Sequence, residues 1–324
     1  MYILLFALLL VVPAHAHIGD RIYPIPEISD ADLTQLDLHD TSLDDWRRVL
    51  LQPSLWPADF YASPKVGEGA PYDPFDMDYQ FWLGWNGSTD RLYFAMERTD
   101  DVYVCEYAGG NTGDLWRHDG NFEFLVDGDH SGGDFTGSAD PDWTDEEKTL
   151  NNNRTAQQYS VIAQAPDGRH LGYQGAGTEW VLAPPYTDGG GGTIELSLDF
   201  FGDFGTDFGR GIFTQPGQLP SIEETPVLSI LEGYVTPFDN LIWNSPEDSE
   251  ISDLAPDKII GLSISIPDFD TKPAAYRAFH SLTGAYDTWR YASNFSDARL
   301  VPAQDRTSVE SRSWARIKAT FADR

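Results

Sequence analysis

Short runs with an apolar residue at every second position constrain the fold more than any other feature of this sequence. They are rich in aromatic and β-branched side chains and are separated by Gly, Asn, Asp and Pro, a pattern typical of strands. The runs occupy residues 78–85, 91–99, 102–107, 122–126, 158–164, 179–183, 193–200 and 259–266. Many short strands between turn residues predict an all-β fold, an antiparallel β-sandwich with long loop insertions and a few short helices.

The segments between these runs predict turns, loops and two helices. Asn86-Gly87-Ser88 lies between two strand runs and favours a hairpin turn. Residues 42–52 are typical of a short capped helix, and residues 271–282 of a second one with Pro273 near its first turn. The glycine-rich stretches 188–192 and 199–211 predict long loops.

The domain organisation is predicted from the absence of a long linker in the sequence. Residues 17–306 are expected to form a single sandwich domain. The tail 307–324 differs, because it holds a cluster of basic residues, and Trp314, Ile317 and Phe321 share one face of a helix at i, i+3 and i+7. This amphipathic tail either docks on the sandwich or binds a protein partner.

The first residues predict export. The stretch MYILLFALLLVVPAHA ends in the small-x-small pattern Ala14-His15-Ala16, which indicates a signal peptide over residues 1–16 that is cleaved before His17. The apolar run from Met1 to Ala14 is shorter than the roughly 20 residues that cross a bilayer. We therefore expect a secreted protein, extracellular or periplasmic, without membrane insertion.

Charge and cysteine content narrow the classes of partner. A net charge of −31 repels nucleic acid and anionic membranes and suits a solvated extracellular surface or one that holds cations. The single cysteine, Cys105, lies in a strand-like run and is interpreted as a small buried hydrophobic residue. Without an internal disulfide, stability outside the cell has to come from the core and from bound metal.

Tryptophans beside arginines are the first candidate for function. Sugar rings stack their C–H faces on indole, while charged and amide side chains bind the hydroxyls. Ten tryptophans is a high count, and two of them fit this role: Trp116-Arg117 with Asp119, and Trp289-Arg290. Two others, at positions 46 and 82, are predicted to lie in the core.

An acidic loop is the second candidate. Asp127, Asp129 and Asp134 surround Gly132-Gly133, and alternating carboxylates in a bent loop can wrap a hard cation such as calcium. The alternative is a solvated acidic turn. Histidines 118 and 130 could ligate a transition metal, but no paired spacing supports it, so we predict surface positions for both.

Catalytic motifs are absent from the sequence. No G-x-S-x-G, H-E-x-x-H, P-loop or G-x-G-x-x-G before a helix occurs. Acids are abundant, so a carboxylate pair at glycosidase separation stays an open alternative. A non-catalytic binding protein fits better.

Taken in order along the chain, these residues resemble the family 9 carbohydrate-binding modules and the related DOMON-like β-sandwiches. The resemblance covers roughly residues 20–303, with long insertions, notably 184–256. It begins with the strand pair 81–101, continues through Trp116, Asp119, Glu123 and Asp127, and ends with Trp289, Arg290, Phe295, Arg299 and Leu300.

The resemblance implies a sugar clamp. In the family, two tryptophans grip a terminal sugar ring, which implies that Trp116 and Trp289 face each other across one cleft. Arg117, Asp119, Glu123 and Arg290 are then the implied polar contacts. Two features depart from the family. One residue is inserted between Asp119 and Glu123, and the family's Gln-aromatic-Arg pattern reads Gln158-Tyr159-Ser160 here, so the arginine that helps recognise the sugar end is missing.

The sequence therefore predicts an exported, non-catalytic protein that binds an oligo- or polysaccharide between two tryptophans. Three alternatives stay open. A haem-binding DOMON-like module would use Met77, Met96 or a histidine as axial ligand. A glycoside hydrolase or its accessory module would act on polysaccharide, and a structural surface protein would attach through the tail.

Overall fold

A computed structural model describes residues 16–40, 42–106, 117–137, 139–162, 171–173, 187–196, 211–213, 222–223, 227–242 and 245–303. Within these ranges the side chains of residues 68, 162, 171–173, 187–196, 211–213, 222–223 and 246 are not described. Trp116, most of the leader, the run 179–183, most of 199–211 and the tail 307–324 lie outside the described residues, so the predictions made for them stay predictions.

Strands dominate the described chain. They are β1 (Ile22–Pro26), β2 (Tyr61–Ala62), β3 (Met77–Asn86), β4 (Arg91–Asp100), β5 (Tyr103–Val104), β6 (Asn121–Asp127), β7 (Gln157–Ile162), β8 (Leu171–Tyr173), β9 (Thr187–Leu196), β10 (Gly211–Phe213), β11 (Ile222–Glu223), β12 (Val227–Val235), β13 (Phe238–Asn240), β14 (Glu250–Ile251), β15 (Ile259–Phe269), β16 (Tyr276–Ser281) and β17 (Ser296–Val301). The helices are α1 (Asp30–Leu33), α2 (Asp44–Val49) and α3 (Asp145–Asn151).

These strands form two main sheets. The large sheet runs in the order β1-β17-β15-β6-β7-β8, with β16 pairing to β15 and to β2. The small sheet runs β10-β9-β12-β4-β3, and β5–β11 and β13–β14 form two-stranded ribbons. The described pairs are antiparallel except β1–β17, which is parallel.

The core lies between the two sheets. Phe122, Phe124 and Val126 of β6 point into it because alternate residues of a strand share one face, and they meet Phe81 and Phe94 of the small sheet. The predicted antiparallel β-sandwich is thereby confirmed.

The outer face of the small sheet has its own cover. Trp82 lies there and packs with Trp46 of α2, and both indoles are buried, as predicted. The haem alternative names Met77 and Met96, and both methionines are buried within the core between the sheets.

Two predictions about local structure are wrong. The proposed helix at 271–282 contains strand β16, because residues Tyr276–Ser281 pair with β15 and β2. The glycine run 188–192 belongs to strand β9, which pairs along β12. In both places the backbone hydrogen bonds of neighbouring strands decide the conformation, which local composition does not reveal.

The hairpin and the first helix were predicted correctly, and Cys105, predicted to be buried, is partly so. The turn after Asn86 joins β3 to β4 as a hairpin, and Asp44–Val49 form the first predicted helix. Cys105 is partly buried against the core. None of the helices in the described ranges has the length and apolar character to span a membrane.

Candidate functional site

The outer face of the large sheet is polar at its centre. Glu123 of β6 lies opposite Ser160 of β7 on one side and opposite Ser265 of β15 on the other. Because side chains alternate along a strand, Asn121, Gln158 and Ser263 share this outer face. We call Asn121, Glu123, Gln158, Ser160, Ser263 and Ser265 the polar face; all six residues are buried.

Two members of the polar face are unpaired. Both amide atoms of Asn121 and the hydroxyl of Ser263 are buried without a hydrogen-bond partner among the described residues. An unsatisfied buried polar group costs about 1–3 kcal/mol, so natural proteins rarely retain one without a reason. These groups therefore retain unused hydrogen-bonding capacity on the polar face.

Trp289 lies on a turn that contacts this face. The 3-10 turn Asp287–Trp289 places the buried Thr288 hydroxyl 3.4 Å from that of Ser265, while the indole is 42% exposed. Asp287 fixes the turn by accepting hydrogen bonds from Lys65 Nζ at 3.2 Å and Asn294 Nδ2 at 3.0 Å. An exposed indole is thus held on a well-anchored support.

Arg290 joins this turn to the acidic loop. Its Nε donates to Asp134 Oδ2 at 3.1 Å, and its guanidinium lies over the ring of Tyr291. Backbone hydrogen bonds from Phe135 N to Arg290 O and from Ala292 N to Gly133 O continue the contact. Two stretches that the sequence singled out separately therefore form one unit.

The segment after Trp116 meets the same region. Arg117, the residue that follows it, is partly exposed, with Nη1 3.9 Å from Glu106. The Tyr276 hydroxyl hydrogen-bonds Tyr286 and lies in the electric fields of Glu123 and Arg117, and its pKa is raised chiefly by burial. Arg117 and Tyr286, the residue before the Asp287–Trp289 turn, thus both lie near Tyr276.

Asp119 lies beneath this region rather than at its surface. Its buried carboxylate accepts from the backbone N–H groups of Val104 at 2.6 Å and Phe269 at 3.0 Å, and from Arg98 Nη2 at 3.0 Å. Asp119 therefore holds the segment that carries Arg117, and its predicted contact with sugar hydroxyls stays a prediction.

Glu123 is the acid of the polar face. Burial raises the pKa of its carboxyl to about 7, and a hydrogen bond from Gln158 opposes that rise. Near neutral pH this group can therefore either donate or accept a hydrogen bond. Glu123 and Gln158 are thus hydrogen-bonded neighbours on the polar face, and their contact with sugar stays a prediction.

Replacing Glu123 with glutamine is expected to stabilise the folded protein at pH 8 by on the order of 2 kcal/mol. The folded carboxyl holds its proton up to about pH 7, whereas 4.5 is its ordinary pKa, so ionisation opposes folding. The stabilising difference should be absent below pH 4.5 and grow as the pH rises to 7. Urea unfolding at pH 4 and pH 8 measures it, with the exposed Glu250→Gln as control; equal differences at both pH values would contradict the buried acid.

The acids of the predicted calcium loop contact protein donors. Asp127 accepts from the backbone N–H groups of Ser131 at 3.2 Å and Gly132 at 2.7 Å, and from His17 Nε2 at 3.2 Å. Asp134 accepts from Thr136 as well as from Arg290. Asp129 accepts from Ser131 N and shares a hydrogen bond with Asp127.

A second group of acids comes from the residue before β3 and from the end of β15. One carboxylate oxygen each from Asp76, Asp268 and Asp270 lies within 4.8 Å of the others. Both oxygens of Asp268, one of Asp270 and one of Asp101 are buried without a hydrogen-bond partner among the described residues. Burial and neighbouring acids raise the pKa of Asp268 to about 9 and that of Asp270 to about 6.

The prediction of surface positions for both histidines is wrong for His118. That ring is buried beside the hydroxyl of Tyr103, and burial together with Arg98 lowers its pKa to about 3. Tyr276, Ser263 and Ser265 were not predicted from the sequence. The sequence does indicate the two serines, because they alternate with apolar residues in the run 259–266 and so must share the face of the strand opposite the core.

Comparisons with known proteins were made for the whole chain. No family model and no curated protein matches it. Among solved structures, the fold is similar to that of a family 9 carbohydrate-binding module from Caldicellulosiruptor kristjanssonii in complex with cellotriose, with a TM-score of 0.48 and 11% identity over 87% of this chain and 94% of that one. The structure of a family 9 module from the same organism in complex with glucose has a TM-score of 0.47 and 12% identity, over 86% of this chain and 96% of that one. Both TM-scores are below 0.5.

Proposed function

We propose that the protein binds carbohydrate at the polar face without catalysing a reaction. One observation carries the proposal: an exposed tryptophan is anchored on a turn in contact with a buried polar face that has unpaired groups. A sugar ring needs an apolar platform for its C–H face and hydrogen-bonding groups for its hydroxyls. Trp289 supplies the first, and Asn121, Glu123 and Ser263 supply the second.

Trp116 is the proposed second wall of the clamp. Support comes from its neighbour, because Arg117 and the Trp289 turn approach the same tyrosine, Tyr276. Arg117 and Arg290 are each about two-fifths exposed, so each can turn part of its guanidinium toward a sugar hydroxyl. Asp119 holds the segment that carries Arg117 in place.

Calorimetric titration of the full chain with glucose, xylose, galactose, mannose and their oligosaccharides tests the function. Shallow sugar sites typically bind with micromolar to millimolar Kd, about −8 to −4 kcal/mol. We expect one saturable site that prefers one of these series, with the oligosaccharide left intact. No heat with any member, or release of shorter products, would overturn the proposal.

We also propose that the chain is exported after cleavage before His17. The apolar leader and the net charge of −31 support this. Amino-terminal sequencing of protein recovered from the medium or periplasm tests it. A chain that keeps residues 1–16 and stays in the cell would contradict it.

Calcium is the proposed structural ion, and the acid group Asp76, Asp101, Asp268 and Asp270 suits it best. Buried carboxylate oxygens without donors match the ligands that calcium prefers. Two arginines neutralise only part of this charge. Arg277 contacts Asp76 at 3.5 Å and Asp270 at 3.3 Å, and Arg98 lies 3.8 Å from Asp268. The loop acids Asp127 and Asp134 already accept protein hydrogen bonds.

Removing calcium is expected to lower the melting temperature of the protein by roughly 5 °C, because a ligand at 100 times its Kd stabilises by about 2.7 kcal/mol. Asp270→Asn should abolish this difference, whereas Asp129→Asn should preserve it. Scanning calorimetry of the three proteins with calcium and with chelator measures it. If Asp129→Asn abolished the difference and Asp270→Asn preserved it, the ion would lie in the loop of Asp127, Asp129 and Asp134. If calcium shifted the melting temperature of none of the three proteins, both positions would be excluded.

A further inference from the structure

Two histidines far apart in the sequence meet at one carboxylate oxygen. His17 Nδ1 lies 3.0 Å and His130 Nε2 lies 2.8 Å from Asp297 Oδ1. The two imidazole rings are 4.3 Å apart, edge to face. One ligand atom from each of the three residues lies within 4.8 Å of the other two.

We propose that His17, His130 and Asp297 bind a divalent transition metal. In a tetrahedral zinc site with bonds of about 2.0–2.1 Å, neighbouring ligand atoms are roughly 3.3 Å apart, close to the separations seen here. Two imidazoles and one carboxylate suit Zn²⁺ and Cu²⁺, whereas Ca²⁺ prefers oxygen ligands alone. The ion would replace the protons that now join both rings to Asp297.

A second carboxylate lies behind His17, as metal-binding histidines usually require. The ring nitrogen that faces away from Asp297, Nε2, lies 3.2 Å from Asp127 Oδ2. Asp127 is itself held by the backbone N–H groups of Ser131 and Gly132. A proton on Nε2 shared with this carboxylate leaves the Nδ1 lone pair directed at the metal position.

The place of His17 is shaped by its surroundings. A Cβ atom at Gly261 would lie 2.5 Å from Cε1 of the His17 ring, so only glycine lets the ring lie against β15. Backbone hydrogen bonds from Ile18 to Ser293 and from Gly19 to Phe295 fix the segment. The ring is therefore positioned before any ion binds.

The site is open on one side. The His17 side chain is fully buried, while those of His130 and Asp297 are 29% and 21% exposed. Three protein ligands with solvent access leave a coordination position for water or an exogenous ligand. This arrangement indicates an exchangeable ion rather than a closed structural one.

Cleavage at the predicted point would add a fourth ligand. His17 would then be the first residue, and its free amine and Nδ1 can bind the same ion in a six-membered ring. Copper should gain most, because it binds such nitrogen donors more tightly than zinc does. We expect the chain that begins at His17 to bind Cu²⁺ at least ten times more tightly than the chain that retains its leader.

Chelator competition on the full chain, with Zn²⁺ and Cu²⁺ as probes and excess Ca²⁺ present to saturate oxygen sites, tests the proposal. One equivalent of metal should bind. His130→Ala and Asp297→Asn should each weaken the affinity by about 100-fold, and Asp127→Asn by about 10-fold. The surface variant His39→Ala should bind like the parent chain.

Circular dichroism of the variants shows whether a weaker metal affinity results from misfolding rather than from the loss of a ligand. His130 is partly exposed, so its replacement should leave the spectrum and the sugar affinity unchanged. Nitrogen hyperfine splitting in the Cu²⁺ spectrum should also weaken in His130→Ala. Stoichiometric binding that is indifferent to His130, or none at all, would show that these residues form only an ion-pair network.

Discussion

Replacing Arg98 with methionine is expected to destabilise the protein by about 3–5 kcal/mol and lower its melting temperature by roughly 10 °C. Arg98 is 1% exposed and donates to the Asp100 carboxylate, and to the carbonyl and carboxylate of Asp119. Asp268 Oδ1 lies 3.8 Å away. Without the guanidinium, the buried carboxyls of Asp100, Asp119 and Asp268 would lose the positive charge that lies among them.

The loss of stability in Arg98→Met is expected to be smaller at low pH than at high pH. Burial and neighbouring acids already raise the pKa of Asp100 to about 7 and that of Asp268 to about 9 with Arg98 present, and Arg98 opposes that rise. In the methionine variant these acids can fold only as neutral groups, so its deficit should shrink as the pH falls from 8 to 5.

Denaturant unfolding at both pH values measures the effect, with the exposed Arg299→Met as matched control. Arg98→Lys should recover part of the stability, because it restores the charge but not the two-pronged geometry. A loss below about 1 kcal/mol in Arg98→Met, or one that is independent of pH, would mean that the acids are neutralised by something other than this guanidinium.

The fold was predictable where the side-chain pattern alone decides the structure. The run 122–126 alternates cleanly and forms the middle of β6, because one face must reach the core. Helix α3 was missed, although Thr144 and Glu147 form a capping box that the sequence displays. The glycine half of β9 (187–192) and the strand at 276–281 were missed for another reason, since their partners lie elsewhere in the chain.

The site was predictable by residue type but not by depth. A tryptophan beside an arginine marks a candidate surface, and Trp289 is indeed exposed. Asp119 has a similar neighbourhood in sequence, yet it is turned inward because Arg98 and two backbone N–H groups require an acceptor there. Long-range partners such as His17 and His130 leave no mark on local sequence.

Replacing Trp289 with alanine is expected to weaken sugar binding at least 30-fold, equivalent to about 2 kcal/mol, with little change in stability. The indole is 42% exposed, so its loss removes stacking area without opening a cavity in the core. The anchors of the turn are Thr288 and Asp287, and both remain. Isothermal titration with the preferred sugar measures the loss.

Ile251→Ala is the matched control, because that side chain is 41% exposed and lies on the separate ribbon β14. It should bind sugar as the parent chain does. Trp289→Phe should retain part of the affinity, since a smaller ring still stacks, which distinguishes stacking from a disturbed turn. Unchanged binding in Trp289→Ala together with lost binding in Asn121→Ala would assign recognition to the polar face alone. Loss only in Trp116→Ala would instead make the first tryptophan the platform and leave Trp289 as solvent-exposed surface.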